Sequence, residues 1–164
     1  MAIIDSNLIF GKDVDITTGG LIADAIDLAS FEASGARDAI ARGDPVWWVN
    51  HVTLNAAGGT SMSFDLKHHH SAGMSESVGE ILVQSPVVPR DDLHEDFYWV
   101  TTIPVLSPTI GRYIGAVAHA FGTFTALKVT SYLTTALPPF SAVTVLTHQN
   151  GSPRMIASRA PVAS

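Results

Sequence analysis

Hydrophobic and polar positions alternate most regularly from residue 46 onward. Val46, Trp48, Asn50, Val52 and Leu54 share one side of an extended chain, and Trp47, Val49, His51 and Thr53 share the other. β-branched and aromatic residues dominate the run, so it predicts a central strand. Asn55-Ala56-Ala57-Gly58-Gly59 marks a turn, after which Met62, Phe64 and Leu66 alternate with Ser61, Ser63, Asp65 and Lys67 to give one apolar and one wet face. The pair predicts a hairpin. Residues 80–84 and the aromatic stretch 97–102 read as further strands. Over residues 112–120, Tyr113, Val117 and His119 oppose Ile114, Ala116 and Ala118. Phe121-Gly122 follows as a turn, a weak match to the favoured two-residue hairpin sequences. Residues 123–133 then set Leu127, Val129 and Leu133 against Phe124, Ala126, Lys128 and Thr130.

The ends are less regular. Leu8-Ile9-Phe10 predicts a short strand with turn residues behind it, and Ala25-Ile26-Asp27-Leu28 a second extended piece. Residues 33–41 read as a loop with one helical turn, bounded by Gly35, Gly43 and Asp44-Pro45. Residues 68–75 lack periodicity and predict an exposed loop, and the prolines and acids of residues 86–96 a long connection. Val143 to Leu146 offers one more edge strand, and the polar, proline-punctuated chain from His148 predicts an unstructured tail until something binds it. Many short strands with turn signals between them predict an all-β fold, an antiparallel jelly roll or β-sandwich with extended N- and C-terminal arms. Residues 1–24 form the N-terminal arm and first short strand, 25–140 the β domain, and 141–164 the C-terminal arm. Both arms hold few large apolar residues, so their ordering is expected to need another subunit.

Composition narrows the function. At 164 residues, 46% hydrophobic and 15% charged, the chain fits one domain. Nine basic against 15 acidic side chains give a net charge of -6, which disfavours a nucleic-acid partner. With no cysteine, disulfides, thiolate chemistry and Cys-based metal sites are excluded. No apolar run approaches the roughly 20 residues of a membrane-spanning helix, and the first residues lack the basic and apolar regions of a secretory signal. No membrane partner is expected.

Candidate chemistry is sparse. His68, His69 and His70 are suited to transition metals, but neighbours on an extended chain point to opposite sides and no metal-ligand spacing accompanies them. Asp5, Asp13 and Asp15 lack the EF-hand pattern, and Asp91, Asp92, Glu95 and Asp96 crowd one loop without an opposing acid. No nucleophile elbow, phosphate loop or dinucleotide fingerprint is present. Arg42-Gly43-Asp44 resembles an adhesion tripeptide, but Asp44-Pro45 serves as the turn before the strand. No catalytic residue, metal or cofactor is therefore expected, and the chain reads as a non-enzyme. The adjacent aromatics Trp47-Trp48 and Phe97-Tyr98-Trp99 place rings on both faces of their strands, which points to a protein interface on one of them. Phe10, Trp47, Trp48, His68, His69, His70, Phe97, Trp99 and Phe140 are the candidate interface residues.

Several segments carry a family resemblance: Asp5-Ser6-Asn7-Leu8-Ile9-Phe10, Ala25-Ile26-Asp27-Leu28, Ala39-Ile40-Ala41-Arg42-Gly43-Asp44-Pro45-Val46, and Arg112-Tyr113-Ile114 before the strand that starts near Phe124. Over about residues 3–134 the chain resembles the capsid cement, or decoration, proteins of tailed podophages of the Bordetella-phage type. It departs from them in the loop from His68 to Met74 and after Phe140. The resemblance implies a jelly-roll domain on the outer surface of a phage capsid, made in the host cytoplasm before assembly. It also implies a homodimer or homotrimer that clamps neighbouring major capsid protein subunits. The alternative expectation is a tail-associated host-surface or carbohydrate-binding β module, with Trp47, Trp99 and the histidine loop forming a sugar-stacking site.

Overall fold

The computed structural model describes residues 8–29, 46–103 and 111–135, and the backbone of two strands at 143–147 and 153–158. In chain order the strands are β1 (Ile9–Asp15), β2 (Gly20–Leu21), β3 (Ile26–Asp27), β4 (Trp47–Gly58), β5 (Ser61–His69), β6 (Glu80–Gln84), β7 (Val88–Pro89), β8 (Phe97–Thr102), β9 (Tyr113–Phe121), β10 (Phe124–Thr134), β11 (Val143–Thr147) and β12 (Pro153–Ser158). Sheet A runs β1-β10-β4-β8-β12-β11; sheet B runs β2-β9-β5-β6, with β3 also on β9 and β7 also on β5. Every pairing is antiparallel. The chain is an all-β sandwich.

The alternation explains the core. Trp48 and Val52 of β4, Phe97 and Trp99 of β8, and Leu127, Val129 and Leu133 of β10 meet Met62, Phe64 and Leu66 of β5 and Ile114, Ala116 and Ala118 of β9. Each set occupies every second position, so one face of each strand is removed from water. Trp48 and Trp99 pack edge to face at 4.9 Å, and the Trp48 indole N–H donates to Ser131 Oγ at 3.0 Å. That bond gives the buried ring its polar partner. Phe124 joins this core rather than the opposite side of β10, because irregularities in the β4 register between Phe124 and Val129 break the strict period of two.

Neither expected hairpin forms. β4 belongs to sheet A and β5 to sheet B; β9 belongs to sheet B and β10 to sheet A. Both links are corners that carry the chain from one sheet to the other, and they interlock: Gly59 N–H donates to Thr123 O and Thr60 N–H to Phe121 O, each at 2.8 Å. Gly58 and Gly59 have φ of 71° and 57°, a left-handed bend open to glycine at little cost. A Cβ on Gly59 would also stand 2.7 Å from the Phe124 ring.

The arms are less separate than the composition implied. β1 pairs along β10, and Phe10, Ile16 and Ile22 are core residues, so residues 8–22 are ordered by this chain itself and not by another subunit. β12 lies along the edge of β8, where an unstructured tail was expected, and β11 is the outermost strand. The helical turn expected at residues 33–41 and the Arg42-Gly43-Asp44 triplet lie outside the described residues.

Candidate interaction surface

Sheet A has apolar residues on its outer face as well as its inner one. The odd-numbered side of β4 carries Trp47, Val49 and His51. Register sets Val49 beside Val100 of β8 and Tyr132 of β10, while Tyr132 also neighbours Ile9 of β1. Val49, Val100 and Tyr132 form a buried cluster, with Ile9, Trp47 and Tyr98 partly buried around it. An antiparallel sheet with one wet face reads apolar-in and polar-out; this one does not.

The polar groups within this face are desolvated. His51 stacks on Tyr98 with ring centroids 4.0 Å apart and planes 6° from parallel. Burial pulls the His51 pKa below the ordinary histidine value, against the opposing influence of Asp96, Asp13 and Glu95. The nearest of these carboxylates, Asp96, is 3.9 Å from Nε2. Burial likewise pushes the Tyr132 phenol up to about 12, with the Tyr98 phenol adding to the shift.

The sequence candidates divide between surface and core. Trp47 belongs to the outer cluster, but Phe10, Trp48, Phe97 and Trp99 are buried between the sheets, so none of these four forms an interface. The packing of opposing sheets uses their rings, which also rules out Trp99 as part of an open sugar-stacking site. Phe140 lies outside the described residues. Sequence reasoning missed Ile9, Val49, Val100 and Tyr132 as members of the outer cluster. The signal was the continuation of the alternation of β10 to Tyr132, on the same side as Thr130.

The histidines are not an exposed loop throughout. His68 and His69 end β5 and are partly buried, only His70 of the three is exposed, and Met74 is buried. His68, His69, His70, Glu80 and Gly111 line a hollow of about 170 Å³. Its hydrogen bonding opposes metal ligation. Gly111 N–H donates to His68 Nδ1 at 2.9 Å, so in the neutral ring Nε2 carries the hydrogen, facing the Glu80 carboxylate at 3.4 Å. Ser71 N–H donates to His69 Nδ1 at 3.2 Å and imposes the same tautomer. A ligating nitrogen needs its lone pair. Among the described residues, no three His, Asp or Glu side chains converge on a metal position.

Residues 70–79 strap the outer face of sheet B. Lys67, buried on β5, donates from Nζ to the carbonyls of Ser75 and Glu76 at 3.0 and 2.6 Å. Met74 settles where Gly115 leaves room, since a Cβ there would stand 2.8 Å from the Met74 methyl. Comparison with protein-family models and with curated proteins finds no match for this chain.

Proposed function

We propose that the chain is a non-enzymatic structural virion protein that cements a phage capsid, bridging neighbouring major capsid protein subunits on the outer surface as a homo-oligomer. The observation that carries this reading is the second apolar layer on sheet A, with Trp47 and Tyr98 at its partly buried margin. Trp and Tyr are the residues most enriched where protein interfaces draw their energy, and the resemblance of the sequence segments supplies the partner. Cementing needs no chemistry. A protein that binds the assembled lattice better than free subunits stabilises the lattice by mass action, and a symmetric oligomer multiplies that effect through linked contacts.

Cryo-electron microscopy of virions containing this chain tests the assignment. Density for the sandwich outside the shell, bridging capsid subunits, is the expected result; density on the tail and none on the shell would overturn it in favour of a host-surface module. Co-sedimentation with expanded capsids tests the surface: Trp47→Ala and Tyr98→Ala should each weaken occupancy about tenfold or more while the variants still unfold cooperatively. Full occupancy by both would remove sheet A from the interface.

A further inference from the structure

We propose that the outer face of sheet B carries a binding site for a neutral saccharide ring. This site stands independently of the capsid reading, because it lies on the opposite side of the sandwich from Trp47 and Tyr98. Beside the strap, a hollow of about 410 Å³ opens between strands β5 and β9 and the segment after β6. Ser63, Gln84 and His119 supply its polar groups, and Val87 and Phe121 flank them. Its size falls in the range of small-ligand sites.

The polar groups are held in place before any ligand arrives. His119 Nε2 lies 2.7 Å from Asp65 Oδ2. Asp65 is buried, and a carboxylate accepts, so Nε2 carries the hydrogen and the ring orientation is fixed. The other nitrogen, Nδ1, faces the Glu76 carboxylate at 3.7 Å, so both ring nitrogens are oriented by the protein. The wall is equally fixed. Ser85 N–H donates to Phe64 O, Ser85 Oγ accepts from Phe64 N–H, both at 2.7 Å, and the same hydroxyl donates to Pro86 O at 2.8 Å. With Ser85 spent on the wall, the Gln84 amide and the Ser63 hydroxyl remain as lining groups able both to donate and to accept.

The apolar part selects a flat ring. Phe121 is 49% exposed and Val87 56% exposed, unusual for large hydrophobic residues here, and both border the polar groups. A pyranose has this mixed character, with a C–H face to lay on an aromatic ring and hydroxyls around its edge. Charge disfavours acidic sugars: no Lys or Arg lines the hollow, and the nearby Lys67 ammonium is taken up by two carbonyls, so no cation is there to pair with a sugar carboxylate.

The test is NMR titration of the full chain with methyl α-D-glucopyranoside, methyl β-D-galactopyranoside and N-acetylglucosamine, each to about 20 mM, since a single small ring binds in the millimolar range. At least one should shift the amides of Gln84, Ser85, Val87 and residues 119–122. Phe121→Ala, at an exposed position that keeps the fold intact, should weaken binding about tenfold, and Gln84→Ala should weaken it severalfold. The proposal fails if none of the three sugars moves these amides, or if both variants bind as the parent does. It also fails if the anionic sugar N-acetylneuraminic acid binds equally well. None of these failures bears on capsid attachment, which sheet A is proposed to mediate.

Discussion

Asn50 sits mid-strand on β4 with its side chain turned into the core between Trp48 and Val52. It is 1% exposed, and neither polar atom of its amide meets a partner among the described residues. An unpaired buried amide costs about 1–3 kcal/mol, so Asn50→Leu, which keeps the same branched four-atom skeleton, should raise stability by about 1–2 kcal/mol. Urea unfolding measures this: a higher midpoint with an unchanged slope is expected, and a lower midpoint would mean the amide is satisfied. His51, one position along, gives a pH dependence of definite sign. Its folded-state pKa lies below the ordinary value of 6.5, mainly through burial. The unfolded chain therefore takes up the proton first as pH falls, and stability that is complete above pH 6.5 declines below it. Asp27 adds a second loss further down. Its hydrogen bonds from Arg112 at 2.9 and 2.6 Å hold its pKa under the usual 3.8, so its contribution disappears as pH drops past that value. The melting temperature should be flat between about pH 7 and 8 and fall from about pH 6.5, and His51→Gln should flatten the upper part of that fall.

At the level of strands, alternation was legible and pairing was not. The period of two separated Trp47 and Val49 from Trp48 and Val52, and Ile114, Ala116 and Ala118 from Val117 and His119, as the sandwich has them. It could not tell which apolar side faces the other sheet, because β4 and β8 are apolar on both. That ambiguity is why Trp48, Phe97 and Trp99 read as interface candidates although they are core. Nor does alternation distinguish a hairpin from a corner. The discriminating feature is steric and local: Gly58-Gly59 bends left-handed to leave its sheet, and Phe121-Gly122 lacks the Asn or Asp of a tight hairpin. Gly59→Ala should cost about 1–3 kcal/mol, through the left-handed φ and the overlap with Phe124. Gly73→Ala, where a Cβ meets nothing within 4 Å, should stay within about 0.5 kcal/mol; equal melting temperatures for the two variants would refute the corner's role.

For the molecule as a whole, the C-terminal strands shield an edge. Deleting residues 141–164 removes β11 and β12 and leaves β8, with Trp99 and Val100, as the last strand of sheet A. Open edges of this kind pair with other chains, so the truncated protein should keep its β circular dichroism, melt several degrees lower and self-associate with rising concentration. Unchanged mass by light scattering together with an unchanged melting temperature would show that the edge needs no cover. The two interlocked corners have a consequence in time. Because each splits its neighbouring strands between sheets, β4 cannot pair with the strand made next and waits for β8 and then β10, which begins at Phe124. At ribosomal speeds the wait for β8, which pairs with Trp47, Trp48 and Val49, is on the order of 2–9 s, and the wait for β10 is longer. The sandwich is thus slow to close by topology, and its yield in the cell should depend on translation rate and chaperone capacity more than its final stability would suggest.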